Sequence, residues 1–419
     1  MKYRDFNNKY CYAVHAINDI TKKSGFSPTT VRFLLTALVG SKAARGTTGD
    51  QITQALSTTN FRDLNAECNS LVDLALNEWA VLSTAGLGDV SVNDADGVRL
   101  CRFQSTLFVP KDNLAFKAEF NWLLTKRMGV DWIETSRKDF SHAEKLISKL
   151  SKGRFSHIFP KHSVNSLVLA TTLQFKGQWV QNLALRGISK GTFEVSPIEK
   201  IDMPMLQVTT KVIYYKDSKK GFHLVGIPFK DTRFAIAFLL PLVPHKFVEV
   251  EKRFAKGLDY GLFVSPKLQI ILMQVVIPVF RLQTEVDLCK ALPFLGIKNP
   301  FDSERADFSG ISDAEKMHIE CGTESSFLQV SRSGVRLTAV ASFGLTTEYS
   351  KYIHPDLFNV PDITSPTLAP QGKEVRSFIV NQPFSVFLVD RESECVLYQA
   401  RVKVPEDVPV SSESPNNSN

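Results

Sequence analysis

The amino-acid sequence predicts an α+β fold, because helical patterns crowd the first third of the chain, strand patterns fill the middle and end, and the two do not alternate as they would in a parallel βαβ protein. In the first third, Tyr12, Val14, Ile17 and Ile20 recur at mixed three- and four-residue steps, which suits one face of a helix. Ser27-Pro28 supplies an N-cap and a proline at the first helical position of a second helix, running to about Ala44. Thr48-Gly49-Asp50-Gln51 has the form of a capping box before a third. Leu64 to Leu82 and Ala115 to Arg127 read as further helices.

Strands follow. Ser166 to Phe175 is one, and Phe222 to Pro228 with Phe234 to Leu240 forms a candidate hairpin. Leu268 to Leu282 is long and extended. Ser377 to Asp390 and Cys395 to Val404 read as a hairpin around Arg391-Glu392-Ser393-Glu394. No internal repeat is visible. Tyr349 to Gln371 breaks the pattern: it carries Pro355, Pro361, Pro366 and Pro370 and has little periodicity. Long structureless connections in compact domains tend to be functional or disordered, so this stretch is the first pointer to function.

The 419 residues include 43% hydrophobic and 22% charged, an ordinary globular composition with enough chain for a large core. No run of 18 or more apolar residues occurs, so no membrane span is expected. A net charge of +7 is mild for this length and is no nucleic-acid footprint. Lys145, Lys149, Lys152 and Arg154 could form a basic helical stripe, read here as a solvated face with polyanion binding as the alternative. Cys11, Cys68, Cys101, Cys289, Cys321 and Cys395 are scattered without a CxxC, which predicts buried free thiols rather than a zinc site or a disulfide framework. Met1 to Lys9 is polar and charged and lacks the apolar segment of a secretory leader. The protein is therefore expected to be intracellular, or to start after or without its leader. The sequon Asn416-Asn417-Ser418 lies in a tail, 406–419, expected to be disordered.

No catalytic constellation is evident. Gly187-Ile188-Ser189-Lys190-Gly191 fits the GxSxG pattern, but that motif needs a strand before it and a helix after it, and strand-like Thr192-Phe193-Glu194-Val195 follows. The chain contains no HExxH or phosphate-binding loop, and its eight histidines do not cluster at metal spacing; His157 and His162 read as surface or core residues. No cofactor is expected.

Five short motifs share one order. They are Ser27-Pro28 with Ala44-Arg45-Gly46-Thr47-Thr48; Phe175-Lys176-Gly177-Gln178-Trp179; Leu295-Gly296-Ile297 with Phe301-Asp302 and Ala306-Asp307-Phe308-Ser309-Gly310-Ile311-Ser312; Gln382-Pro383-Phe384 with Phe387-Leu388; and Arg401-Val402. Together they resemble the serpin family, over roughly Ser27 to Val404. The resemblance implies a single domain over 1–405, with three β-sheets, about nine helices and an exposed, unusually long reactive loop at about 334–380. It implies no enzyme but a monomeric inhibitor whose partner is a target serine protease. The loop is cleaved as bait, and its N-terminal part inserts as a central strand and drags the acylated protease away. A non-inhibitory member acting as a binding or carrier protein is the alternative, and a hydrolase using Ser189 a distant third. The resemblance favours an extracellular location, with a cytoplasmic one as alternative.

Insertion demands alternation, because a central strand of a covered sheet buries every second side chain. From Gly334, the residues Val335, Leu337, Ala339, Ala341, Phe343 and Leu345 fall on one face. Arg336, Thr338, Val340, Ser342 and Thr346 fall on the other. Several positions depart from the family pattern. Arg332 stands where a glutamate is usual and Val279 where its lysine partner is usual, so that ion pair is missing. Leu337 is bulky for the hinge, and overpacking there would cost about 1–3 kcal/mol. Thr171 and Glu324 replace an asparagine and a histidine of the central polar cluster; with Ser27, Thr30 and Trp179 they form the expected sheet-opening set. A buried Glu324 would be costly unless hydrogen-bonded. The prolines, which oppose central pairing, all lie at or beyond Pro355. The extra length is therefore placed after the scissile bond, expected at Glu348-Tyr349 with Lys351 and Tyr352 as near alternatives.

Overall fold

A computed structural model describes residues 2–18, 23–56, 101–110, 115–135, 145, 148, 155, 167–179, 188–254, 268–314, 316–347, 377–391 and 395–406. Among these residues are six α-helices: α1 (Lys2–Ile17), α2 (Pro28–Gly40), α3 (Gly46–Ala55), α4 (Ala118–Trp122), α5 (Phe247–Phe254) and α6 (Leu288–Ala291). Fifteen strands accompany them. In chain order they begin with β1 (Ser24–Phe26), β2 (Cys101–Pro110), β3 (Asp131–Thr135), β4 (Leu167–Gln178), β5 (Ile188–Glu194) and β6 (Lys200–Asp217). Next come β7 (Phe222–Pro228), β8 (Phe234–Pro241), β9 (Gln269–Pro278), β10 (Phe280–Asp287) and β11 (His318–Ser331). The last are β12 (Gly334–Thr346), β13 (Ser377–Ile379), β14 (Phe384–Asp390) and β15 (Cys395–Val402). The predicted helices at Leu64 to Leu82, the tail beyond Glu406, most of the basic stripe, His157, His162 and Cys68 lie outside the described residues. Of the other five cysteines, Cys11, Cys289 and Cys395 are buried, as expected, while Cys101 and Cys321 are only partly buried.

Helix α2 is buried almost all round, so it reads as an internal helix rather than an amphipathic one. Ser27 caps it as predicted: its Oγ accepts from the Thr30 N–H at 3.3 Å, with Pro28 at the first turn. The helix ends at Gly40, earlier than predicted, where the Ser41 Oγ donates to the Ala37 carbonyl at 2.6 Å. The expected capping box at Thr48 is not one. α3 starts at Gly46, inside which Thr48 already sits; the Thr48 Oγ1 accepts from the Asp307 N–H and Gln51 Oε1 from the Lys298 and Asn299 N–H groups. Both side chains hold a distant loop instead. The α1 face also differs from the expectation. Tyr12 is exposed, whereas Phe6, Tyr10, Ala13 and Val14 are buried, because the helix turns its i, i+4, i+7 stripe inward. The segment to Arg127 is α-helical only to Trp122 and then widens into one π-turn over Leu123–Arg127.

The strands form two hydrogen-bonded networks rather than three separate sheets. One is six-stranded, in the order β10-β11-β12-β4-β2-β3. The other has the order β1-β15-β14-β8-β7-β6-β9-β13, with β5 paired to β6. β6 is 18 residues long and pairs with both β7 and β9, which joins what the family pattern separates. The predicted hairpin β7–β8 is present, while Leu268 to Leu282 is divided between networks, because β9 pairs β6 and β10 pairs β11. β14 and β15 pair as expected, but Ser377–Ile379 leaves that hairpin and lies parallel to β9. Past β15, the Arg281 N–H donates to the Glu406 carbonyl at 2.9 Å.

Two large hydrophobic clusters fill the interior. One packs α1, α2 and α6 against the C-terminal half of β12; the other lies between the sheets, around Phe175, Trp179, Phe280 and Phe384. The motif runs at 44–48 and 306–312 meet in space: the Arg45 N–H donates to the Asp307 carbonyl at 3.0 Å. Gly310 makes that approach possible, because a Cβ there would lie 1.7 Å from the Lys42 carbonyl oxygen. Backbone cannot rotate away as a side chain can. Gly310→Ala is therefore expected to cost about 3 kcal/mol or more, read as a lowered midpoint in denaturant unfolding; an unchanged midpoint would contradict the close approach.

Candidate functional site: an inserted strand and its opening cluster

The candidate site is built on β12. It lies between β11 and β4, antiparallel to both, and is paired on both sides along nearly its whole length. Val335, Leu337, Ala339, Ala341, Phe343 and Leu345, the predicted inward face, are each 1% exposed or less. The opposite face departs from a simple inside–outside alternation. Arg336 is exposed, but Thr338, Val340, Ser342 and Thr346 are buried. Val340 packs with Phe108, Phe155, Val168 and Ala170, so this face is covered as well. A strand buried on both faces tolerates charge only at its ends, which is where Arg336 stands.

Small residues make room for large ones. Phe343 lies opposite Gly322, where a Cβ would come within 2.8 Å of its ring. Leu337 lies between Leu328 of β11 and Phe175 of β4 and is buried among apolar side chains, so the bulk expected to overpack the hinge is seated. At the start of the strand, Gly334 has φ +145°, and a Cβ on it would lie 2.0 Å from the Gly177 carbonyl oxygen. Gly177 has its own constraint, since a Cβ would meet the Phe229 ring at 2.6 Å. Two glycines thus let β12 and β4 close up at this pole.

Arg332 is exposed in the two-residue turn between β11 and β12, and Val279 is buried in the inter-sheet cluster. The usual hinge ion pair cannot form between these residue types. Trp179 supports the pole differently: its Nε1–H donates to the Ser331 carbonyl at 2.9 Å, and its ring stacks on Phe229 at 5.4 Å.

The opening cluster centres on Glu324, which is fully buried. The Tyr10 hydroxyl donates to its Oε2 at 2.7 Å, the Ser27 backbone N–H donates to Oε1, and the Thr30 hydroxyl reaches Oε1 at 3.3 Å. No cation among the described residues contributes, and burial outweighs these donors, pushing the carboxyl up to about 8. The same burial, with the Glu324 carboxyl opposite, raises the Tyr10 phenol. Ser27 also donates from Oγ to the Leu397 carbonyl at 2.7 Å, so the cluster joins β11, α1, α2 and β15. Thr171 does not belong to it. Ala341 stands in register between Glu324 and Thr171, and Thr171 shares a hydrogen bond with Ser105 at 2.9 Å instead. Tyr10 is the residue that the sequence reading missed. A helical stripe through Phe6, Tyr10, Val14 and Ile17 would have marked it as buried, but nothing local pairs it with a carboxylate 314 positions away.

Ser189 is no nucleophile elbow. It lies exposed within β5, paired with Met205 of β6, and no strained strand-to-helix turn holds it. Glu348, Tyr349, Lys351 and Tyr352 lie outside the described residues.

The Glu324 carboxyl makes stability depend on pH. Its value is raised on folding from an ordinary 4.5 to about 8. The stabilising balance is therefore complete below about 4.5 and is lost as pH rises through about 8. Glu324→Gln, which keeps an acceptor and cannot ionise, is expected to flatten that loss and to be more stable than the parent above about pH 8 by on the order of 5 kcal/mol. Denaturant unfolding across a pH series reads this directly; parallel profiles for the two proteins would rule out a buried ionising Glu324.

Comparisons with known proteins agree with this architecture. The family model described as serpin (serine protease inhibitor) matches residues 4–405. Human serpin B11 is 22% identical over 373 residues, covering 85% of this chain and 94% of its own. Wheat (Triticum aestivum) serpin-Z1C is 24% identical over 395 residues, covering 91% and 89%. Among solved structures, cleaved serpin 42Da superposes with a TM-score of 0.75 at 17% identity, covering 98% of both chains. The latent form of the thermophilic serpin tengpin gives 0.71 at 15% identity, covering 97% of this chain and 98% of its own. The matched span, the order of the motifs and the two-sided pairing of β12 place this chain in the serpin family.

Proposed function

We propose that this protein inhibits a serine protease by suicide insertion of its reactive loop. The observation that carries the reading is the seat of β12, whose six inward side chains are all buried and whose register matches both neighbours. Burying Val335, Leu337, Phe343 and Leu345 favours the inserted state by on the order of 8 kcal/mol, before ladder hydrogen bonds are counted. That surplus is what a trap needs. The protease serine attacks the scissile carbonyl, the leaving amine departs with the new chain end, and the acyl-enzyme is carried along as β12 enters the sheet. Thirteen residues of strand displace it by about 40 Å. The scissile bond expected at Glu348-Tyr349 lies just past the last paired residue, Thr346, so the acyl linkage would reach the far pole as pairing finishes.

A second reading, a non-inhibitory serpin acting as a binding or carrier protein, draws on the hinge. Arg332 and Val279 lack the usual ion pair, and a slower opening step would let deacylation win. Incubation with trypsin-like and chymotrypsin-like proteases separates the two. The inhibitor gives a covalent complex stable in denaturing gels and a cut between Thr346 and Tyr352; the carrier is only cleaved. Ala339→Arg would place a charge in the apolar cluster between the sheets, in register with Ser326 and Leu173, where an unpaired charge costs several kcal/mol. It is expected to lower the ratio of complex to cleaved product by at least about tenfold. A parent that forms complex and a variant that forms it equally well would refute insertion as the cause of inhibition.

A further inference from the structure

The solvent face of β6, β9 and β13 carries an aliphatic stripe. β6 and β9 are antiparallel, with Lys211 opposite Leu272 and Ile213 opposite Ile270, and opposed residues share a face. Ile270 and Leu272 point outward, 71% and 68% exposed, whereas Met273 and Val275 are buried in the cluster between the sheets. Side chains alternate along a strand, so the outer set continues through half-buried Val276 to its partner on β13, Ile379, which is 45% exposed. Single apolar residues scattered on a surface need no explanation, but here they line up on neighbouring strands. Cations gather at one end of the stripe. The turn from β6 to β7 presents Lys216, Lys219 and Lys220, and Lys211 stands beside Leu272. That turn is fixed from several sides. Asp217 Oδ1 accepts from the Lys219 and Lys220 N–H groups at 3.0 and 2.9 Å, Gly221 takes φ +78°, and the Arg253 guanidinium of α5 donates to the Lys220 carbonyl at 3.0 Å. Between the turn and the start of β9 lies an open cavity of about 360 Å³, whose lining includes Tyr214, Tyr215, Lys216, Asp217, Lys219 and Gln269. Asp217, its carboxylate, is engaged by the turn itself. The ion pairs of this strand network join Lys190 to Asp202 and Lys200 to Glu194; among the described residues none includes Lys211, Lys216, Lys219 or Lys220.

We propose that this edge of the molecule docks on an anionic lipid bilayer, with Ile270 and Leu272 entering the boundary of the acyl chains and the lysines of the turn taking phosphate headgroups. Three features select a bilayer. A soluble polyanion would satisfy the lysines but has no hydrocarbon in which to bury Ile270 and Leu272. A folded partner would need a complementary shape, whereas a fluid bilayer accepts aliphatic side chains that simply stand above a strand. The excess of cations over carboxylates fixes the sign of the lipid charge. The cavity, with hydroxyl, amide and ammonium donors on its walls, has room for one phosphorylated headgroup. The proposal does not rest on protease inhibition: it brings the protein to a surface whatever its loop does there.

The test uses the full chain and flotation with vesicles of phosphatidylcholine alone or of phosphatidylcholine mixed with phosphatidylserine. The parent is expected to float with the anionic vesicles only, and less of it as salt is raised, because the headgroup contacts are screened. Lys216→Glu with Lys219→Glu and, separately, Ile270→Ser with Leu272→Ser are each expected to weaken binding at least about tenfold. All four side chains are exposed, so both variants are expected to unfold at the parent's temperature. Leu272→Trp supplies a reading that does not depend on a loss. Its added emission is expected to shift to the blue on anionic vesicles and to stay in place on a soluble sulfated polysaccharide. No flotation of the parent, flotation that survives either pair of substitutions, or an emission that moves on the polysaccharide and not on the vesicles would each overturn the proposal.

Discussion

The structure depends on one two-sided hydrogen-bond ladder, the pairing of β12 with β11 and β4. Without it those two strands would have to meet each other or leave edges open, and a free edge in a covered sheet is costly. Each other feature of the site serves the ladder. Gly334 and Gly177 let the backbones close at one pole, Gly322 leaves space for Phe343, and Arg336 keeps its charge at the only rim available. The apolar contribution is large, yet it is the register that makes it collectable. A slip by one residue would turn Arg336 inward and send Leu337 to the other face.

Glu324 shows how a carboxyl is kept inside a covered sheet. Three donors from α1, α2 and the turn before α2 satisfy it, and none of them carries charge. Such a group binds the helices to β11 most firmly when it is neutral. Ionisation would put an uncompensated charge beside Ala341, in the middle of the inserted strand. The opening cluster is thus assembled from groups whose hydrogen bonds do not need water, in a layer that excludes it.

A second buried polar group ties another helix, α5, to the larger strand network. The Arg401 guanidinium Nε donates to Glu251 Oε2 at 3.2 Å, and the Ser385 hydroxyl donates to Glu251 Oε1, joining α5 to β14 and β15. Arg233 and Asp390 form a bidentate pair at 2.7–2.9 Å where β8 and β14 meet. These contacts tie together neighbouring strands of the nine-stranded network. In the six-stranded sheet, by contrast, the neighbours of β12 carry neutral hydroxyls and small residues such as Ser325, Ser326, Ala170 and Thr171.

Much of this was legible in the residues. The α+β class, the Ser27 cap, the alternating face from Val335 to Leu345 and the lack of a nucleophile elbow at Ser189 all follow from local pattern, because caps, periodicity and turn chemistry act over a few residues. The joining of sheets through β6, the coverage of Val340 on the supposed outer face, the room for Leu337 and the partnership of Tyr10 with Glu324 do not. They depend on which surfaces meet across hundreds of positions. Local pattern determined that β12 could be a strand with one apolar side. Only the tertiary structure decided that it is buried on both sides, because burial is a property of what packs against a strand and not of the strand itself.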